Sequence, residues 1–179
     1  VKSKISKGIG ILCKARKLLN ASTLLSLYYS IIYSYLIYCI EVWGNAPECY
    51  LNSILKIQKK AARIITFSPF RAPSNPLFLK LGILKISQIY QYFVMILMYK
   101  YALNKLPTPF NNFFVKTWEI HNINTRSSNM YYLPKFKLQT SIKFIKFSGI
   151  KIWQTLHDKC SFSSLGTFKT SLKKFLISH

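Results

Sequence analysis

Residues 26–44, SLYYSIIYSYLIYCIEVWG, overlap a long stretch without a charged side chain that runs from Leu18 to Ile40. Such a stretch can cross a membrane, stack its aromatic rings on nucleic-acid bases, or fill a protein core. Tyrosines and serines are spread along its whole length, whereas a membrane-spanning helix concentrates tyrosine at its two ends. The basic side chains that accompany base-stacking aromatics are missing from it. The stretch is therefore predicted to be a core helix that is apolar on nearly all sides.

This core helix should have a defined beginning, end and packing side. Asn20 or Ser22 can cap its start, and Gly44 and Pro47 end it. Helical spacing predicts one packing stripe along it, closed at its end by Trp43 and made of Leu27, Ile31, Tyr35 and Tyr38.

Helical patterns dominate the rest of the chain as well. Apolar residues recur at helical spacing over residues 4–19, 48–66, 141–156 and 165–177, and in the apolar segment ISQIYQYFVMILMYKYALNK. A short strand over residues 131–138 is the exception. The predicted fold class is mainly α. A helical bundle over residues 1–105 precedes a less regular α-rich region over residues 106–179, and the two-proline segment LPTPFNNFF marks the boundary.

The charge of the chain is strongly one-sided, with 26 Lys and Arg against 4 Asp and Glu and a formal net charge of +22. This excess predicts a polyanionic partner, either nucleic acid or an anionic membrane. Nearly all the basic residues are lysine, in a chain that is also rich in Ile, Asn, Tyr and Phe. An AT-rich coding sequence would explain part of this bias. A basic helical packing protein and a membrane-surface protein therefore remain alternatives to a nucleic-acid binder.

The basic residues are best ordered on the helix predicted over residues 48–66. At about 100° per residue, one narrow face carries Lys56, Lys59, Lys60 and Arg63. The opposite side carries Leu51, Ile54, Leu55, Ala61, Ala62 and Ile65. No acid in the body of the helix offsets the repulsion between these charges, and a phosphate backbone would neutralise them. On the first helix, the candidate nucleic-acid contacts are Lys4, Lys7 and Lys14.

The residue types that carry catalysis or bind metals are few and scattered. No two of the four acids form a pair suited to the metal ions of a polymerase or nuclease. These acids are Glu41, Glu48, Glu119 and Asp158. The histidines, which lack metal-ligand spacing, are His121, His157 and His179. The cysteines, expected to be buried free thiols, are Cys13, Cys39, Cys49 and Cys160. We therefore expect no catalytic residue, no metal site, no cofactor and no independent enzyme activity in this chain.

Several segments in a fixed order carry a resemblance to a known family. They are ISKGIGILCKARKLL, LLSLYYSIIYSYLIYCIEVWGNAP, ILKIQKKAARIIT and NPLFLKLGILKISQIY, followed by TRSSN at 125–129, SIKFIKFSGIKIWQTL at 141–156 and the terminal FKTSLKKFL. In this order they resemble non-LTR (LINE-type, Jockey-like) retrotransposon reverse transcriptases. The match is to the region just downstream of the catalytic palm, namely the thumb and the connector that follows it.

The resemblance implies a function for the chain as a fragment of an RNA-directed DNA polymerase from a mobile element. In such enzymes the thumb grips the template–primer duplex through its backbone, and the palm, with its aspartates and Mg²⁺, adds nucleotides. Gln58, Lys59, Lys60 and Arg63 stand in the QKKAxRII motif, and Arg126 stands in the TR motif. The expected partners are an RNA–DNA hybrid or duplex and the missing palm and fingers, with no membrane. The expected location is intracellular, and nuclear if the parent element is active.

Overall fold

A computed structural model of the chain describes residues 1–120, 129–135, 144–156 and 164–178. These residues are largely helical, and the predicted mainly α class is confirmed. The strand predicted over residues 131–138 is reduced, where the chain is described, to an isolated antiparallel bridge between Lys116 and Tyr131. Residues 136–138 lie outside the described residues.

The chain divides into two compact units. The first comprises Val1–Ile89 with Leu176–His179, and the second comprises Tyr90–Phe175. The predicted boundary after residue 105 lies within the second unit. The helices that begin in the first unit are α1 (Lys2–Ala15), α2 (Ala21–Leu27), α3 (Ser34–Ile37), α4 (Ile40–Trp43), α5 (Glu48–Ile65), α6 (Ser74–Leu81) and α7 (Ile86–Ala102). Those that begin in the second unit are a 3₁₀ turn (Thr108–Phe110), α8 (Thr117–Ile120), α9 (Ile145–Leu156) and α10 (Leu165–Ser178).

The charge-free stretch does not form the single regular helix that the sequence predicts. Its start is confirmed, because the Asn20 side chain accepts a hydrogen bond from the backbone N–H of Thr23 at 2.9 Å. A π-helical segment, Tyr28–Tyr33, separates α2 from α3, and Cys39, with φ of +50°, interrupts the helix before α4. The Trp43 indole N–H donates to the Tyr38 carbonyl at 2.7 Å, so the tryptophan closes the interrupted end.

The predicted packing stripe is wrong, because the buried residues lie one position later than its first three members and end at Ile40, two positions after Tyr38. The buried residues, each at most 1% exposed, are Leu24, Tyr28, Ile32, Leu36 and Ile40. In contrast, Tyr38 of the predicted stripe is 72% exposed. Residues four apart drift by about 40° per step around a regular α-helix, so five of them would leave any one side. The wider π-helical turn takes up part of this drift.

Helix α1 packs against the π-helical segment and against α5. Gly8 permits the close approach, because a Cβ at this position would lie 3.0 Å from Ile32 Cγ1 and 3.1 Å from Ile31 Cγ2. A Cβ at Gly10 would meet nothing within 4 Å. The two glycines, which both weaken the helix by propensity, therefore differ in structural role.

The second unit has a core of its own around α7. Met98 is fully buried, and the Tyr99 ring stacks on Phe168 of α10 with centroids 4.4 Å apart. The Tyr90 hydroxyl and the Ser148 hydroxyl of α9 are hydrogen-bonded at 2.7 Å. These contacts join α7, α9 and α10, and they confirm the last two helices that the sequence predicts.

Candidate nucleic-acid interface

Helix α5 has a buried side and a solvent-facing side, in the register that the sequence predicts. The buried residues of the predicted apolar side are Ile54, Ala61, Ala62 and Ile65. Lys56 and Lys60 are exposed and Lys59 is half-buried. We call Lys56, Lys59 and Lys60 the lysine face. Because the helix is buried along the opposite side, this face is turned away from the core.

The lysine face carries no counter-charge from the part of the chain that the structure describes. No carboxylate there lies within 4.0 Å of an amino group of the lysine face. Glu48 lies in the first turn of α5, next to the positive end of the helix dipole. Like charges at these spacings destabilise a helix by a few tenths of a kcal/mol per pair, and a bound polyanion would relieve that repulsion.

Gln58 belongs to the core and not to the solvent-facing side of the QKKAxRII motif. It is 1% exposed, and its Oε1 accepts a hydrogen bond from the backbone N–H of Ile86 at 2.9 Å. Its Nε2 donates to the Tyr28 hydroxyl at 3.2 Å and to the Leu84 carbonyl at 3.3 Å. Burial raises the pKa of the Tyr28 phenol, which stays a neutral hydrogen-bond partner. The amide thus fixes the rotation of α5 and, with it, the outward direction of the lysine face.

Arg63 differs from the three lysines although it follows them at helical spacing. It is half-buried, and its Nε donates to the Ala72 carbonyl at 2.9 Å. The side chain therefore ties the segment after α5 to the last turn of the helix. Its predicted contact with phosphate would have to be made while this hydrogen bond is kept.

The other candidates are on α1 or outside the described residues. Lys4, Lys7 and Lys14 are exposed, and the Lys4 amino nitrogen lies 5.4 Å from the centroid of the Tyr35 ring, in cation–π range. Since α1 packs against α5, the lysines of the two helices lie on neighbouring elements of the first unit. Arg126 lies outside the described residues.

The described residues contain no group of three or more His, Cys, Asp and Glu side chains that could hold a metal ion. Cys13, Cys39 and Cys49 are free but exposed, so their expected burial is wrong. At Cys39 the chain leaves the helix, with φ of +50°, and the residues that face the core there are Leu36 and Ile40 instead. Cys160 lies outside the described residues.

One stretch in the described residues, Ser74–Ala102, is long and apolar enough to cross a membrane by length and composition alone. Half of its most apolar window is buried inside the protein. The charge-free stretch forms only the shorter apolar segment Ala21–Ile37, below the roughly 20 residues that a spanning helix needs.

Comparisons with protein-family models, with curated proteins and with solved structures found no match.

Gln58 is the residue whose position in the structure the sequence analysis missed. It lies four residues after Ile54 and three before Ala61, which are both buried. Helical spacing therefore places it on the buried side. It was not predicted to be buried because its side chain is polar.

Proposed function

We propose that this chain binds double-stranded nucleic acid through its phosphate backbone, as the thumb-like part of an RNA-directed DNA polymerase from a mobile element. The observation that carries the binding role is the lysine face. No carboxylate in the part of the chain that the structure describes pairs with it, and the hydrogen-bonded amide of Gln58 holds it outward. The ordered segments that resemble reverse transcriptases support the assignment to a polymerase.

The spacing of the lysine face suits a phosphate backbone. Four residues of helix, from Lys56 to Lys60, rise by about 6 Å. One strand of a duplex carries a phosphate every 3.4 Å or so along the axis, so the face spans about two such intervals, which three successive phosphates bound, one for each lysine. Contacts of this kind give affinity and orientation without sequence preference. In this proposal the chain holds template and primer, while nucleotide addition and its Mg²⁺ belong to the palm.

The proposed division of labour makes the chain a fragment with no enzyme activity and no cofactor of its own. Its partners would be an RNA–DNA hybrid or duplex and the palm and fingers of the parent polymerase. It would act inside the cell, and in the nucleus if the parent element is active.

The salt dependence of binding tests the proposal. Affinity for a blunt RNA–DNA hybrid, measured by fluorescence anisotropy over a series of salt concentrations, should fall linearly on a log–log plot. Changing all three residues of the lysine face to alanine should reduce the slope by about 2.7, at roughly 0.9 per phosphate contact. The matched control carries the same change of charge at three exposed lysines of the second unit, Lys151, Lys173 and Lys174.

The control triple variant should leave the slope close to that of the original chain. An equal reduction of the salt slope in both triple variants would mean that the net charge, and not α5, determines binding. An affinity for the hybrid that does not change with salt would refute the proposal. Flotation with anionic vesicles checks the membrane-surface alternative in the same preparations, because recovery with vesicles and no salt-dependent hybrid binding would favour that alternative.

A further inference from the structure

Helix α5 ends with an unusual residue in its C-terminal cap. The backbone N–H of Ser68 donates to the Arg63 carbonyl at 3.0 Å, and that of Phe67 donates to the Ile64 carbonyl at 3.3 Å. These are the two hydrogen bonds of a Schellman motif, whose left-handed residue is usually glycine. Here it is Phe67, with φ of +56°, and its ring is 47% exposed. A strained backbone thus directs a large aromatic side chain to the surface instead of into the core.

The chain then makes a tight turn that presents a second ring. The Ala72 N–H donates to the Pro69 carbonyl at 3.1 Å, so Phe70 and Arg71 occupy the two central positions of the turn. Phe70 is 80% exposed and Arg71 is exposed. The hydrogen bond from Arg63 Nε to the Ala72 carbonyl fixes this turn to α5. The Phe70 ring is therefore held in solvent on a backbone that is ordered before any ligand binds.

Basic side chains are interleaved with the two rings. The Arg16 guanidinium carbon, at the end of α1, lies 5.1 Å from the centroid of the Phe67 ring, in cation–π range. Arg71 lies next to Phe70 in the turn. Exposed rings beside cationic groups are the combination that binds single-stranded nucleic acid, whose bases stack on the rings while its phosphates meet the charges. An uncharged apolar partner would instead have to cover the guanidinium groups without any counter-charge.

We propose that the segment of residues 66–73, which we call the aromatic loop, is a base-stacking site for unpaired nucleotides. Phe70 is the principal stacking ring, Phe67 is the second, and Arg71 and Arg16 are placed for phosphates. The inference rests on the proposed function, because the aromatic loop directly follows α5, the helix that carries the lysine face. The ligand class becomes a duplex with a single-stranded extension, bound in preference to a blunt duplex. The fixed backbone lowers the entropy lost when the extension binds.

The test compares a blunt RNA–DNA hybrid with the same hybrid carrying a single-stranded extension that contains 2-aminopurine, whose fluorescence reports stacking. The hybrid with the extension should bind more tightly than the blunt hybrid, and the fluorescence of its 2-aminopurine should change on binding. Phe70→Ala should weaken binding of the extended hybrid about 5- to 150-fold, the range for loss of one base–aromatic stack, and leave the blunt hybrid unchanged. Phe70→Trp should retain the preference, whereas Phe70→Leu, which keeps an apolar side chain without a ring, should lose it.

A second variant examines the other ring with its backbone preserved. Phe67→Gly suits the left-handed conformation, so the cap is kept while the ring is removed. It should weaken binding of the extended hybrid and leave the blunt hybrid unchanged. Circular dichroism confirms that each variant is folded.

Each contrary outcome has a distinct meaning. Full preference for the extension in Phe70→Leu would overturn the inference, because apolar contact without stacking would then suffice. If the blunt hybrid binds with the expected salt slope and the extension adds nothing, the inference fails while the proposed function stands. If neither hybrid binds, both fail. If Phe70→Ala lowers recovery with anionic vesicles but not binding of the extension, the aromatic loop is a membrane contact and the inference is overturned.

Discussion

Replacing Gln58 by glutamate would exchange the amide Nε2 for a carboxyl oxygen in the centre of the first unit. In the original chain this nitrogen donates to the Leu84 carbonyl and the Tyr28 hydroxyl, and the side chain is 1% exposed. An ionised carboxylate cannot donate to the Leu84 carbonyl, and burial disfavours its charge. Folding should therefore raise the pKa of the introduced carboxyl above about 4.3, the value for an exposed glutamate.

The raised pKa gives the variant a stability that falls with rising pH. Above about pH 4.3 the unfolded chain releases a proton that the folded protein keeps, so the free energy of unfolding decreases relative to the original chain. The decrease is up to about 1.4 kcal/mol per pH unit, until the carboxyl ionises in the folded protein too. Below this range the carboxyl is protonated in both states and the variant should lose only about 1 kcal/mol, the worth of one altered hydrogen bond.

Urea unfolding, followed by circular dichroism at a series of pH values, measures this difference. The matched control is Gln58→Met, which fills similar space without an ionisable group. It leaves the Ile86 N–H and the Leu84 carbonyl unpaired, at a cost of about 1–3 kcal/mol for each group that stays unsatisfied, and this cost should not depend on pH. A constant difference between Gln58→Glu and the original chain across the pH series would refute the burial and pairing assigned to Gln58.

Three further substitutions test the packing of the first unit. Gly10→Ala should raise the free energy of unfolding by about 0.5–1 kcal/mol, since the new methyl group meets open space and improves helix propensity. Gly8→Ala should lower the melting temperature instead, because its Cβ would lie 3.0 Å from Ile32 Cγ1. Equal thermal shifts for both alanines would contradict the close packing of α1. Tyr28→Phe should cost about 1 kcal/mol by removing a partner of Gln58 Nε2. Burial raises the pKa of the Tyr28 phenol, so above about pH 10 the unfolded chain loses a proton that the folded protein keeps. Stability should then fall with pH less steeply in Tyr28→Phe than in the original chain, and identical slopes in denaturant titrations would contradict this.

The sequence predicts α5 well because its amphipathic spacing and the prolines on either side of it indicate the same helix bounds. Its lysine face could be read directly, since side chains four apart share a side of any regular helix. The structure of the charge-free stretch was harder to predict, because neither the π-helical segment nor the left-handed Cys39 has a strong local signal in the sequence. Both features change which residues of the stretch face the core. The cap at Phe67 was hidden for a related reason, since the glycine that usually marks such a helix end is absent.

The contact between the lysine face and phosphate is tested directly by the reactivity of individual lysines toward an acylating reagent, read by mass spectrometry with and without a saturating RNA–DNA hybrid. Lys56, Lys59 and Lys60 should be protected by the hybrid, because their amino groups would contact phosphates. The exposed lysines of the second unit, Lys151, Lys173 and Lys174, should react at unchanged rates. A lysine face that stays fully reactive in the bound state, or protection that is equal at all six lysines, would show that α5 does not carry the contact with the hybrid.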